Sequence, residues 1–346
     1  MRRLFAFAGL LPLLLAGCAQ PKVYTYQAPL MHTRWDFSVV SRSASQALAA
    51  QKAGAAMVAR LDAVLAMWQP GSELSEANRL AAGPQGVTVS AELGQVIGLS
   101  LEAAKRSGGT FDPTVGPLTQ AWYDARTHDR MLGRPAIARL MRAVGWKKVD
   151  YDPATRRLRF RVEGMRLDFG GIAKGYAQDR VAELYHQMGL RDFLLNAGGQ
   201  VYAAGHKPDG SPWMVGIVHP RDPLRLVAVL PLSNQGMATS GDYEQFSMVH
   251  GVRVDHELDP RTGYFVTNGV CSATSIVPLK GDFPATWADI HGKPVFVLGP
   301  QKGLAYLAAQ GAEGVVLVEK KGQLQGFLSP GLKGLALDLG PGPFQP

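Results

Sequence analysis

The stretch Leu167-Asp168-Phe169-Gly170-Gly171-Ile172-Ala173-Lys174-Gly175-Tyr176-Ala177-Gln178-Asp179-Arg180 constrains this chain more than any other. Ile172, Ala173, Tyr176, Ala177, Val181, Leu184, Tyr185 and Met188 recur at spacings of three and four, the stripe of a helix with one buried face. That helix starts just after Gly170-Gly171, where the missing Cβ lets another group approach the backbone. Free N–H groups at a helix start favour an anion. Lys174 in the first turn opposes the helix dipole, a placement that makes sense beside something anionic. A Gly-rich strand-to-helix turn carrying a solvated lysine accounts for the same residues, because short Gly-rich motifs arise by chance.

The chain begins with a targeting signal. Arg2 and Arg3 precede an apolar run, Phe5 to Leu15, well short of the ~20 residues that span a bilayer. It ends in Leu15-Ala16-Gly17-Cys18, which resembles the lipobox of bacterial lipoproteins, with Cys18 as the lipidated first residue of the mature chain. An ordinary secretory signal with an incidental cysteine is the plainer alternative. Ala19 resembles the outer-membrane sorting pattern, so the expectation is an exported lipoprotein on the periplasmic face of the envelope, with the inner membrane left open. Arg2-Arg3-Leu4-Phe5 leaves both Sec and Tat export open.

Removal of residues 1–17 leaves 329 of 346, enough for one large domain or two modest ones. Cys18 and Cys271 are the two cysteines, and with the first lipidated no disulfide framework holds the fold. The formal charge falls from +8 to +6 once Arg2 and Arg3 leave, too diffuse to assign a polyanionic partner. No basic run with interleaved aromatics points to nucleic acid.

Residues 18–30, with Pro21 and Pro29, read as a tether, and Met31 to Val40 as a first strand. A helix is expected from about Ser45 to Trp68, a second after an N-cap at Ser90, and a third opened by Pro135. Leu158, Phe160 and Val162 alternate with Arg157, Arg159 and Arg161 after an Asp152-Pro153-Ala154-Thr155 turn, a hairpin strand with a solvated basic face. Short strands follow at Phe193–Leu195, Val201–Ala204, Met214–Val218, Leu226–Leu232, Val295–Leu298 and Val315–Val318, with a helix near Leu304–Ala309. Early long helices and late short strands argue for α+β. Residues 31–330 form the domain and 331–346 a loose Gly/Pro-rich tail.

Five further segments stand out: Thr110-Phe111-Asp112-Pro113-Thr114-Val115-Gly116-Pro117-Leu118, Asn196-Ala197-Gly198-Gly199, Ala238-Thr239-Ser240-Gly241-Asp242-Tyr243, His256-Glu257-Leu258-Asp259-Pro260-Arg261-Thr262-Gly263, and Ala288-Asp289. Turn chemistry explains any one alone. In this order, and with Leu167–Ala177, they resemble the ApbE family of flavin transferases over about Met31 to Gly314. The resemblance implies a T-fold-like α+β domain with mixed or antiparallel sheets and packed helices, binding FAD in a cleft. It implies Mg²⁺-dependent cleavage of the FAD pyrophosphate, FMN passing to a Ser or Thr of an acceptor flavoprotein and AMP leaving. That is phosphoryl transfer, in which the protein positions groups and neutralises charge.

Residue by residue, the resemblance puts Met31 and Trp68 near the flavin, a core tryptophan being an equal reading of the latter. Asn78, in Ser72-Glu73-Leu74-Ser75-Glu76-Ala77-Asn78, would face the FAD. Thr110, Phe111 and Asp112 would contact the adenosine, and Asp168 and Lys174 the cofactor, the lysine as a point charge on phosphate. His256 would lie near the pyrophosphate as the proton-transfer group, since imidazole titrates near neutrality; a satisfied turn histidine is the bland alternative. The implied Mg²⁺ ligands are the Gly171 carbonyl, Asp289 and a threonine four residues later. Here that threonine position holds Lys293, a donor that cannot ligate a cation. Thr286 or His291 would partly compensate, and Mg²⁺ keeps several waters, so one lost hydroxyl need not abolish binding. Gly292 and Pro294 also argue against a helix running through this segment. Two readings stay open: a working transferase, with Mg²⁺ held by Asp289, the Gly171 carbonyl, phosphates and water, and an FAD-binding or acceptor-docking lipoprotein with little turnover, which an inward Lys293 favours and a solvent-facing one disfavours.

Overall fold

Trp35, Phe37 and Val39 alternate along the strand Thr33–Ser41 and are all fully buried, so one face of this strand is core. The strand belongs to an eight-stranded sheet, with each neighbouring pair antiparallel. Its spatial order is Lys22–Leu30, Thr33–Ser41, Phe193–Ala197, Gln200–Ala204, Gln235–Gly241, Val270–Pro278, Glu313–Lys320 and Gln323–Leu328. The structure, a computed structural model, describes residues 20–340 other than Gln245 and His256, and only the backbone of Val252 and Arg253. Cys18, the signal segment and His256 therefore lie outside the described residues.

The helices are α1 (Ala44–Leu65), α2 (Glu73–Leu80), α3 (Ala91–Arg106), α4 (Gly116–Thr127), α5 (Arg134–Leu140), α6 (Ala173–Gln187), α7 (Pro284–Leu298) and α8 (Pro300–Ala309). One face of the sheet packs on α1 and α6 through Val58, Leu61, Tyr176, Val181 and Tyr185. Further along, Val295 and Phe296 of α7 and Leu307 of α8 cover Val270, Ala273 and Val316. A hairpin of Trp213–His219 and Asp222–Leu232 closes the opposite face over Val201, Ala203, Met237 and Leu317. Cys271 is buried and unpaired there. Among the described residues no helix is long and apolar enough to cross a membrane.

The expected capping chemistry is in place. Ser90 accepts from the backbone N–H of Leu93 at 3.1 Å and starts α3. The expected hairpin forms between Val149–Asp152 and Arg157–Phe160, where Arg159 and Arg161 both bond to Asp150 on an exposed face.

Four expectations fail, each for a tertiary reason. Residues 22–30 are an edge strand rather than a tether, in register with Thr33–Ser41 so that Tyr26 opposes Phe37. Pro29 is tolerated because it sits on the edge. The tail is not loose as far as residue 340: Leu332, Leu335, Leu337 and Leu339 pack on the hairpin core, and the Asp338 N–H bonds the Val227 carbonyl at 2.7 Å. Helix α7 runs straight through Gly292 and Pro294 and takes in Val295–Leu298, expected as a strand. The helix is buried along nearly its whole length, and that packing outweighs the local penalty of proline. Gly292 is needed there, since a Cβ would come within 2.8 Å of Ser240 Oγ.

Candidate active site at the crossing of two helix starts

The segments around Phe111–Leu118 and Leu167–Gly171 are knitted together. The Asp168 N–H bonds the Pro113 carbonyl at 2.8 Å. The Asp168 carboxylate accepts from Thr119 Oγ1 and from the Gly170 N–H, both at 2.8 Å, which folds the Gly170-Gly171 turn. Gly116 lies hard against Arg166, leaving no room for a side chain. Asp112 is also engaged: Oδ1 accepts from the Thr114 N–H and hydroxyl, and Oδ2 from the Trp146 N–H. Burial raises its carboxyl above the ordinary range despite these bonds. Thr110 is buried and donates to the Ser107 carbonyl at 3.0 Å.

Asn78, near the end of α2, is buried and uses both ends of its amide on Leu167: Nδ2 donates to the carbonyl at 2.9 Å and Oδ1 accepts from the N–H at 2.7 Å. It is a splint for the segment leading into Gly170-Gly171. Asn78→Ala leaves two buried backbone groups unpaired, and we expect a loss of about 3 kcal/mol in a urea melt. Asn78→Asp keeps only the acceptor and should fall between.

Helices α6 and α7 cap each other. Asp179, in α6, accepts from the backbone N–H groups of Ala285 and Thr286 and from the Thr286 hydroxyl, at 3.0, 2.8 and 2.6 Å, at the start of α7. Asp289, in α7, accepts through Oδ2 from the N–H of Gly175 at 3.1 Å, in the first turn of α6. The first turn of α6 carries no acidic residue, and its N-cap residue Ile172 makes no side-chain bond, so Asp289 supplies the anionic cap from across the interface. The helices can approach this closely because residue 175 is glycine: a Cβ there would collide with the Ala285 carbonyl oxygen and lie 2.9 Å from Asp289 Cβ.

Lys293 points into this crossing. It lies one turn beyond Asp289 on the same face of α7. Its Nζ donates to Ser240 Oγ at 2.7 Å and stands 3.8 Å from Asp289 Oδ1. At 3.8 Å the Asp289 contact is an ion pair without a hydrogen bond, and that buried oxygen has no hydrogen-bond partner among the described residues. The Lys293 stem runs against Gly171, whose other neighbour is the Phe111 ring. Burial works against the ammonium, but the carboxylates of Glu257, Asp289 and Glu244 more than offset it and hold its pKa above the ordinary lysine value. The side chain is 20% exposed and that of Asp289 0%, so the lysine reaches solvent while the carboxylate beside it is shut away.

A divalent ion does not fit beside this lysine. The oxygen it would need is Asp289 Oδ1, at the 2.0–2.1 Å or so that Mg²⁺ requires, and the ammonium already lies over it. An ammonium 4 Å from a unit positive charge costs about 4 kcal/mol at an effective dielectric near 20, and a divalent ion about doubles that. Neither expected substitute ligand is available. Thr286 is fully buried and held in the Asp179 cap by both its N–H and its hydroxyl. His291 is buried, stacked on Trp287, with Nδ1 3.0 Å from the Tyr306 hydroxyl, and burial lowers its pKa to about 4. Among the described residues no cluster of three or more His, Cys, Asp or Glu could hold a metal ion.

Lys174 sits in the first turn of α6, half-buried, where its charge acts on Glu244. Two lysines and the Gly-Gly turn thus meet at one helix start. Trp68 follows α1 and is 46% exposed, its ring 5.3 Å from that of Tyr123, which is 50% exposed on α4. This pair is a surface platform and not core. Met31 is in the turn after the edge strand with φ 46°, lining an open groove of about 580 Å³ with Gln69 and Asp62. The sequence motifs did not single out Tyr123, Asp179, Ser240 as a lysine anchor, Glu244 or Glu257. Only Asp179 had a local signal, a carboxylate on the apolar side of α6.

A family model described as the ApbE family matches residues 31–316. A protein named FAD:protein FMN transferase from Klebsiella pneumoniae is 31% identical over 289 residues, covering 83% of this chain and 86% of its own length. One of the same name from Haemophilus influenzae is 29% identical over 255 residues, 72% of each. Among solved structures, an ApbE protein from Thermotoga maritima superposes with a TM-score of 0.81 at 28% identity, covering 91% of this chain and 99% of that one. The apo form of the Pseudomonas stutzeri flavinyl transferase ApbE gives 0.78 at 26%, covering 92% and 97%. The family match runs through both cross-capped helices and every segment that builds the lysine-lined turn: the chain belongs to the ApbE family.

Proposed function

We propose that this chain binds FAD at the α6–α7 crossing and transfers its FMN half to a Ser or Thr hydroxyl of an acceptor protein, releasing AMP. The observation that carries this reading is the meeting of Lys174, Lys293 and the Gly170-Gly171 turn at the start of α6, where a pyrophosphate would find two cations. Relatives along most of the chain bear the name of that activity. The acceptor oxygen bonds to the FMN phosphorus, the bond from that phosphorus to the bridging oxygen breaks, and AMP leaves with the bridging oxygen. The hydroxyl proton goes to a base, the role the resemblance assigns to His256. The lysines neutralise charge on the phosphates, and the Trp68–Tyr123 pair offers aromatic surface to the flavin. The Mg²⁺ dependence implied by the resemblance finds no matching ligand set among the described residues, and the lysines supply the charge neutralisation. The same reading puts the protein on the periplasmic face of the envelope, anchored through lipid on Cys18.

The test is to mix the purified soluble chain with FAD and a flavin-acceptor domain, following acceptor mass and free nucleotide. We expect an FMN adduct and one AMP per adduct. A second reading, an FAD-binding protein with little turnover, is favoured by the inward direction of Lys293. Bound FAD without adduct or AMP would establish it, and absence of both binding and transfer would remove both readings.

A further inference from the structure

We propose that Lys293 is a tethered counter-ion standing where a diffusible divalent cation would otherwise be required, so that this chain takes up FAD without metal, and that removing Lys293 uncovers a cation site at Asp289. The proposal rests on the reading that the α6–α7 crossing receives the FAD pyrophosphate.

The ammonium is built in rather than incidental. Gly292 lets Ser240 Oγ come close enough to hold Nζ at 2.7 Å, and Gly171 gives the lysine stem a bare backbone to lie on. Asp289 sits behind it, inaccessible, with Oδ1 3.8 Å away and without a hydrogen bond among the described residues. An ammonium has three donors. One is used on Ser240, and the 3.8 Å separation leaves Asp289 without a full hydrogen bond, so donors remain for an anionic oxygen approaching from the open side.

The local charge count favours the same conclusion. Glu257, Asp289 and Glu244 act on Lys293, and Lys174 is the second cation near Glu244. Removing Lys293 takes a positive charge from 3.8 Å beside Asp289 Oδ1, which raises the local attraction for a cation. A lysine cannot be chelated away, so occupancy of the cation position becomes independent of metal supply.

The experiment uses the full soluble chain and two readouts. Mn²⁺ titration is followed by loss of the free-ion EPR signal, and FAD affinity by quenching of flavin fluorescence in EDTA or in millimolar Mg²⁺. For the wild type we expect no Mn²⁺ bound at this position and an FAD affinity that changes less than about twofold between EDTA and Mg²⁺. Lys293→Thr is expected to bind one Mn²⁺, to lose at least about tenfold in FAD affinity in EDTA, and to recover it with Mg²⁺. Lys293→Arg keeps the charge and should stay metal-independent. A wild type that binds one Mn²⁺, lost on Asp289→Asn, or whose FAD affinity falls about tenfold in EDTA, overturns the proposal whatever the variants do. If the wild type binds FAD under neither condition, the FAD reading fails, while the Mn²⁺ titration still decides the role of Lys293.

Discussion

Asp179→Ala is expected to lower the unfolding free energy by about 4 kcal/mol, read as the shift of a urea transition. Its carboxylate serves two backbone N–H groups at the start of α7 and the Thr286 hydroxyl, all buried. Each buried donor left unpaired costs about 1–3 kcal/mol. The same residue makes stability depend on pH. Burial pushes its carboxyl from the ordinary 3.8 up to about 7, against the pull of its three hydrogen bonds. Between about pH 4 and 7 the folded state therefore keeps a proton that the unfolded chain has lost, and stability falls as pH rises through this window, by at most about 1.4 kcal/mol per pH unit. Outside that window this group adds no slope. The Asp179→Asn variant does not titrate at this position. The difference between wild type and Asp179→Asn, taken from urea melts at several pH values, should therefore decline across the same window. A difference that stays flat would mean that Asp179 is ionised throughout, stabilised by the helix start it caps.

Gly175→Ala should be costly out of proportion to one methyl group. The added carbon meets the Ala285 carbonyl and, at 2.9 Å, Asp289 Cβ, so relief requires α6 and α7 to separate. Overpacking of this kind costs about 1–3 kcal/mol. Separation also lengthens the 3.1 Å bond from the Gly175 N–H to Asp289 and moves the aspartate beneath Lys293. We expect a destabilisation of about 3 kcal/mol and, at temperatures where the variant remains folded, at least about a tenfold loss of FAD affinity. Gly189→Ala is the matched control, because nothing lies within 4 Å of a Cβ there and its only strain is the positive φ of 79°. It should cost stability without touching FAD affinity. A Gly175→Ala protein with unchanged FAD binding would separate the helix crossing from the site.

Elements whose signals are local were legible in the chain. The stripe from Ile172 to Met188 describes α6 because burial of one helix face needs that spacing and no other. Ser90 marks the start of α3 because its hydroxyl must serve an orphan N–H three residues on. The Asp152–Thr155 turn is readable for a similar reason, since Asp152 accepts from the Ala154 N–H and the Thr155 hydroxyl within the turn itself.

Where the partner lies far along the chain, the local signal misleads. Residues 22–30, preceded by Pro21 and carrying Pro29, have the character of a tether only until the strand Thr33–Ser41 offers its edge. Gly292 and Pro294 look like helix breakers in isolation, and α7 survives them because it is buried along nearly its whole length. Asn78 bonds with both ends of its amide to Leu167, 89 residues along the chain, a partner no local pattern names.

Composition, periodicity and motif order were enough for the α+β class, for the succession of segments that build the site, and for a lysine where the resemblance expects a threonine. Which way that lysine points, and what it meets, came from the folded arrangement alone. The direction of a long flexible side chain depends on groups brought together from distant segments. Here these are the hydroxyl of Ser240, the bare backbone of Gly171 and the hidden carboxylate of Asp289. The same holds for the mutual caps of α6 and α7: a helix start needs an acceptor for its free N–H groups, but packing alone settles which chain segment supplies it.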